Sequence, residues 1–217
     1  MTQQRAQYIP AAGHDAFLPL YDPVFRLLMR ERAFRDRFLE QSDVRPGHRI
    51  LDLGCGTGTM ALLIRKRRPE SVVVGVDGDP RALAVARNKA ARASLAIQFD
   101  EALADALPYP DRSFDRVLSS LVFHHLTHED KLAALRETLR VLKPGGWLHL
   151  ADFGPPVGWY ASLLARLVTH GGRLRENLAG CLPELMREAG FRAVQQQSHH
   201  NTLVGTVVLL AASAAGA

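Results

Sequence analysis

From His48 onward the chain alternates short apolar runs with amphipathic helical stretches: HRILDLG, TMALLIRKRR, SVVVGVD, PRALAVARNKAARA and LAIQF, then FDRVLSSL, THEDKLAALRETLRVL and WLHLADF. The apolar runs are continuous rather than alternating in polarity, as expected of strands covered on both faces. This rhythm predicts parallel βαβ units in one doubly wound α/β sheet. Near the C-terminus GTVVLLAAS adds another strand, and Gly205 just ahead of it predicts a hairpin with the preceding segment. The last strand then runs antiparallel in a mostly parallel sheet.

Local punctuation places the helix ends. Asp79-Pro80 supplies an N-cap acceptor followed by a residue that needs no backbone donor at the first helical position. Thr127 with Asp130 forms a capping box, and Lys143-Pro144-Gly145-Gly146 is expected to close the following helix. Residues 1–43, which contain PVFRLLMRERAFRDRFLEQ, read as an N-terminal helical cap. Residues 44–217 read as a single core with a helical insertion at about 154–190, where Pro-Pro and Gly-Gly interrupt the pattern. A length of 217 residues suits one such domain.

The loop Leu51-Asp52-Leu53-Gly54-Cys55-Gly56-Thr57-Gly58 leaves a strand and enters a helix with glycine at three alternate positions. Such spacing is explained by close approach of a ligand, because a Cβ would occupy the space the ligand needs. The next strand ends in Asp77, whose carboxylate can accept hydrogen bonds from both ribose hydroxyls of an adenosine. Loop and acid together predict a nucleoside site at the carboxyl edge of the sheet. Asp79 is the better helix cap, which leaves Asp77 for the ligand. A nicotinamide dinucleotide fits poorly, since the third glycine arrives one residue too early for G-x-G-x-x-G, and no P-loop lysine follows.

LDLGCGTG, VDGDP, LPYPDRSFDRVLSS and LRVLKPGG resemble the successive motifs of the class I methyltransferases, which have a Rossmann-like fold. More narrowly they resemble the small bacterial branch related to the ubiquinone/menaquinone-biosynthesis enzymes, over about Tyr21 to Phe153. The resemblance implies S-adenosylmethionine as cofactor and S-adenosylhomocysteine as product. It implies that Asp52, Gly54 and Gly56, with Cys55 and Gly58 of the same loop, border the methionine part, that Asp77 holds the ribose, and that Gly78 lies beside adenine. Ser120 ends the strand at the same edge, and Tyr21 stands where the family's N-terminal segment folds over the cofactor, although a core aromatic is at least as consistent with its setting. Where relatives carry Gly-Asp-Ala, this chain reads Leu103-Ala104-Asp105-Ala106. The acidic partner of the adenine amino group is therefore displaced: Asp105 or Glu101 could take the role, or Ala104 could offer its backbone alone.

Methyl transfer from a sulfonium is an in-line displacement that requires positioning and exclusion of water. For a phenol, acidic carbon or amine acceptor a base helps, and His124, with His125 beside it, follows the strand FDRVLSSL at the edge where the methyl group emerges. The family commonly has a histidine here with no catalytic duty. Trp159 and Tyr160 could line an acceptor pocket or simply pack the cap. No Asn-Pro-Pro-aromatic segment, Pro-Cys nucleophile or basic strip with interleaved aromatics points to nucleic acid, so a small, aromatic, quinone-like or lipid-like acceptor is expected. No metal is expected, because adjacent histidines such as His124-His125 rarely chelate one ion.

A cytoplasmic protein is expected, because there is no signal-like N-terminus and no apolar run near the ~20 residues of a membrane span. A homodimer is the assembly considered. The net charge of +5 is spread over helices. Its one block, Arg65-Lys66-Arg67-Arg68, reads as a solvated helix end in preference to an anion site. A non-catalytic S-adenosylmethionine-binding sensor or inactive subunit, and aminopropyl transfer on the same scaffold, remain open at this level.

Overall fold

The computed structural model describes residues 31–168 and 172–214. Helix α1 (Glu31–Gln41) precedes the alternating series β1 (Arg49–Leu53), α2 (Thr59–Arg67), β2 (Val72–Asp77), α3 (Pro80–Arg92), β3 (Gln98–Glu101) and β4 (Phe114–Ser120). A 3₁₀ turn (Phe123–His125) leads into α4 (His128–Val141) and β5 (Leu142–Phe153). Three helices follow, α5 (Trp159–Val168), α6 (Gly172–Leu178) and α7 (Leu182–Glu188), before the hairpin of β6 (Arg192–Thr202) and β7 (Gly205–Ser213).

The strands form one sheet in the order β3-β2-β1-β4-β5-β7-β6. β1 pairs parallel to both β2 and β4, and β7 is antiparallel to its neighbours β5 and β6. This is the expected architecture, and its cause is visible in the burial. Ile50, Leu51, Val117, Leu118, Leu148 and Leu150 are all 0% exposed, as continuous apolar strands between two helical layers must be. The chain winds outward from β1 to β3 and then returns to place β4 on the other side of β1. The carboxyl ends of β1 and β4 thus diverge at the crevice where open α/β sheets take ligands.

The helix starts follow the sequence closely. Asp79 accepts from the Arg81 N–H at 2.8 Å, and the Thr127 hydroxyl accepts from the Asp130 N–H at 3.2 Å while donating to the Asp130 carboxylate at 2.6 Å. One end differs. Lys143-Pro144-Gly145-Gly146 does not terminate α4, which passes into extended backbone already at Leu142. The four residues instead bulge inside β5, where the pairing with β4 jumps from Phe114–Leu142 to Arg116–Trp147. Gly145 takes φ +73°, and a Cβ on Gly146 would stand 2.9 Å from the Lys143 carbonyl, so the glycines serve the bulge rather than a helix cap.

The basic run at the end of α2 is a helix end, as expected: Arg65 donates to the Pro69 and Ala96 carbonyls, Arg68 to the Val44 carbonyl, and Arg67 pairs with Asp36 of α1. The insertion between β5 and β6 is tied to the core by Lys131 of α4, whose side chain is wholly buried and reaches Glu176 of α6 at 2.9 Å. No helix among the described residues is long and apolar enough to cross a membrane.

Removing the α4 cap with Thr127→Ala is expected to lower unfolding free energy by about 1 kcal/mol, read from denaturant titration. A change below about 0.3 kcal/mol would show that the Asp130 N–H finds another acceptor at no cost.

Candidate functional site

The crevice is built on the turn that follows β1. Gly54, Gly56 and Gly58 have φ of +70°, +52° and +76°, a region that L side chains enter at a cost. The Gly54 and Cys55 N–H groups donate to the Val76 carbonyl at 2.8 and 3.0 Å, which ties the turn to β2. Lys89 of α3 donates to the Thr57 hydroxyl at 2.8 Å. The three glycines are required for different reasons. A Cβ on Gly54 would run into the Val122 side chain, and one on Gly58 would lie 2.8 Å from the Ala86 Cβ, whereas one on Gly56 would meet nothing within 4 Å. Crowding by a ligand is the sequence expectation at all three positions, but at Gly54 and Gly58 the crowding comes from the protein itself, and only at Gly56 of the three is the Cβ direction open.

Two carboxylates meet this turn. Asp77, at the last position of β2, accepts from the Gly56 N–H at 2.7 Å and from the Asp79 N–H at 2.9 Å. The Gly78 N–H adds a third backbone donor, and the carboxylate keeps acceptor capacity for one more. Burial raises its pKa, although the backbone hydrogen bonds from Asp79 and Gly56 oppose that rise. Asp52 is 1% exposed and accepts from the Ala61 N–H at 2.9 Å. Its carboxylate therefore faces the first turn of α2, and burial pushes its pKa up to about 7. Cys55 is a buried free thiol whose pKa burial raises, the opposite of an activated nucleophile. Gly78 follows Asp77, half-buried, in the bend leading to α3.

On the far side of β2, Ala104 is half-buried in a turn while Asp105 and Glu101 are both exposed. Ser120 is half-buried at the end of β4. Leu121, immediately after it, takes φ +60°, a strained conformation for a branched-chain residue. This sharp bend leads into the 3₁₀ turn that carries His124. Tyr21 lies outside the described residues. Trp159 is 81% exposed, and the Tyr160 hydroxyl donates to the Leu203 carbonyl at 3.4 Å, so Tyr160 braces α5 against the β6–β7 turn.

Two polar residues that sequence reading passed over stand out here. Asp152, the penultimate residue of β5, is 0% exposed. Its carboxylate lies 2.7 Å from the His124 Nδ1 and accepts from the N–H groups of His124 and Phe153 at 3.3 and 2.7 Å. Burial pushes its pKa up, but the His124 charge and these hydrogen bonds outweigh that and hold it below the usual carboxylate range. The signal in the sequence was an acid near the end of an apolar strand, the same signal that marked Asp77. Asn177 on α6 is also 0% exposed, and among the described residues neither atom of its amide has a hydrogen-bond partner. Nothing in its sequence context distinguishes it.

A Methyltransferase domain family model matches residues 50–146. The chain is 34% identical over 203 residues to the ubiquinone/menaquinone biosynthesis C-methyltransferase of Xanthomonas campestris pv. campestris, covering 82% of this chain and 78% of that protein. The chain belongs to the class I S-adenosylmethionine-dependent methyltransferase family. It is also 42% identical over 140 residues to the demethylmenaquinone methyltransferase of Thermus thermophilus; the match takes in 64% of this chain, which spans 63% of that relative's length. Among solved structures, a SAM-dependent methyltransferase from Aquifex aeolicus superposes with a TM-score of 0.69 at 20% identity, covering 91% of this chain and 96% of that one, and confirms the fold.

Within this methyltransferase-family chain the glycine roles separate by mutation. Gly54→Ala is expected to cost the left-handed penalty of about 1–2 kcal/mol plus an overpacking cost of about 1–3 kcal/mol against Val122. Gly56→Ala should carry the first cost alone, and equal losses in denaturant titration would overturn the distinction. Asp52 offers a pH test. Because its folded-state pKa is about 7, well above that of an ordinary aspartate, the native state holds a proton that the unfolded chain releases, and this group's contribution to stability falls as pH rises from about 4 to about 7. Unfolding free energy measured across that range should decline less steeply in Asp52→Asn than in the wild type, and parallel curves would refute the assignment.

Proposed function

We propose that the protein transfers the methyl group of S-adenosylmethionine to a small aromatic acceptor, a hydroquinone of the type denoted by the names of the demethylmenaquinone and ubiquinone/menaquinone relatives. The observation that carries the reading is Asp77, a half-buried carboxylate clamped by the Gly56 N–H beside the one loop glycine whose Cβ direction is open. In this reading Asp77 accepts from a ribose hydroxyl, and the backbone at Gly54, Cys55 and Gly56 borders the methionine portion. Asp52 and Gly58 act indirectly, by setting the path of the loop into α2. Gly78 and Ala104 flank the adenine, with Asp105 exposed nearby, and Ser120 lies where the sulfonium end meets the acceptor.

The cofactor supplies an electrophilic methyl group, and the protein's task is orientation and exclusion of water. The reduced acceptor is favoured on chemical grounds: a hydroquinone ring carbon is electron-rich and can attack a sulfonium methyl, whereas a quinone carbon is electron-poor. His124 is the base candidate for the acceptor hydroxyl.

Calorimetric titration should show binding of S-adenosylmethionine and S-adenosylhomocysteine and none of NAD. Asp77→Ala should weaken binding of the first two by at least about 10-fold, since it removes charge-assisted hydrogen bonds of roughly 1.5–3 kcal/mol. A folded Asp77→Ala protein with unchanged affinity would sink the cofactor geometry. Incubation with labelled cofactor and a short-chain demethylmenaquinone, with and without dithionite, then tests the acceptor: methylation is expected only after reduction. Its absence under both conditions would overturn the acceptor and leave the cofactor assignment standing.

A further inference from the structure

The His124–Asp152 contact has the arrangement of an oriented general base. The Asp152 carboxylate is wholly buried and lies 2.7 Å from the His124 Nδ1, and the same carboxylate receives the His124 backbone N–H at 3.3 Å. Both the ring and the peptide of His124 are thus gripped by one carboxylate. The Phe153 ring meets the imidazole edge-on at 5.0 Å, and the His125 ring lies 3.9 Å away on the same turn. A carboxylate at Nδ1 requires the proton on that nitrogen, so in the neutral ring Nε2 is left with its lone pair. Nε2 has no hydrogen-bond partner among the described residues, and the side chain is 14% exposed. A ring held this firmly, with one nitrogen left unbonded among the described residues, does more than fill space.

Its surroundings add a second sign. Helix α6 packs against the 3₁₀ turn and against β5, and on it the Asn177 amide is fully buried with its hydrogen-bonding capacity unused among the described residues. Buried amides are nearly always paired, and leaving one unpaired costs about 1–3 kcal/mol. A polar ligand between the turn and the insertion helices would supply what is missing.

We propose that Asp152 is a positioning residue that fixes His124 as the Nδ1–H tautomer, so that Nε2 accepts the hydroxyl proton of a phenolic acceptor bound beneath α6. This rests on the methyl-transfer reading above. As the hydroxyl proton passes to Nε2, electron density moves into the ring and the ortho carbon attacks the sulfonium methyl. A carbon–carbon bond forms, the sulfur–methyl bond breaks, and its electron pair stays on sulfur as the thioether product. The ring carbon then releases its hydrogen to solvent as aromaticity returns, and the imidazolium gives its proton back to the oxygen. One proton is released overall for each methyl transferred.

The test has two arms, of which the first needs no acceptor. Long-range ¹H–¹⁵N correlation spectra of the ring nitrogens, with His124→Asn used to assign the signals, should show neutral His124 protonated at Nδ1 in the wild-type protein. Protonation at Nε2 instead would overturn the proposal, whatever the acceptor. In Asp152→Asn that preference should be lost, and a retained Nδ1–H tautomer would equally refute the role. In the second arm, turnover of the reduced demethylmenaquinone should fall in Asp152→Asn by roughly 10- to 100-fold in kcat, with the KM for S-adenosylmethionine and the affinity for S-adenosylhomocysteine unchanged. Equal losses in all three would mark Asp152 as merely structural. If no preparation turns over the quinol, the acceptor reading of the previous section fails, and the ring-nitrogen spectra still decide the tautomer.

Discussion

Everything at the site depends on parallel strand pairing. Because β2, β1, β4 and β5 run in one direction under cover of helices on both faces, their carboxyl ends open onto the same edge. Any acid near the end of such a strand is carried from a hydrophobic layer to the brink of a crevice. There it must find donors or remain protonated. Three aspartates occupy such positions, Asp52 on β1, Asp77 on β2 and Asp152 on β5, and their donors define what each one does.

Asp52 is satisfied by the Ala61 N–H and spends its acceptor on the start of α2; with a pKa near 7 it is the least comfortable of the three as an anion. Asp77 closes the glycine turn through the Gly56 N–H and still has capacity for a ligand. Asp152 faces an imidazole, and that contact outweighs its burial and keeps it ionised. One structural motif, an acid ending an apolar strand, thus serves folding at the first position, leaves acceptor capacity beside the glycine turn at the second and holds a neighbouring imidazole at the third. The glycine loop shows the same division: it is tied down by the Val76 carbonyl and Lys89, and only Gly56 leaves a Cβ direction open.

Much of this was legible in the amino-acid order. Strand and helix alternation, the caps at Asp79 and Thr127, the antiparallel hairpin at the end and the glycine loop with Asp77 are local or near-local patterns. Hydrophobic period, capping chemistry and the backbone demands of turns act over a few residues, and a linear reading can find them. Lys143-Pro144-Gly145-Gly146 marks where that reading fell short. The residues have the chemistry of a helix stop, yet the stop is set by the pairing of Leu142 with Phe114, a contact that residue propensities do not encode.

What the sequence determined by itself is therefore the architecture and the glycine turn with its facing acid, because both follow from short-range rules repeated along the chain. Only the tertiary structure decided which loop glycine has an open Cβ direction, since Val122 and Ala86 are distant in sequence from Gly54 and Gly58. It alone also joined His124 to Asp152 across 28 residues and left the Asn177 amide buried without a partner among the described residues. Partnership between polar side chains is set by where the sheet delivers them, and a buried charge or amide acquires its meaning from the one group that folding brings within hydrogen-bonding distance, or fails to bring.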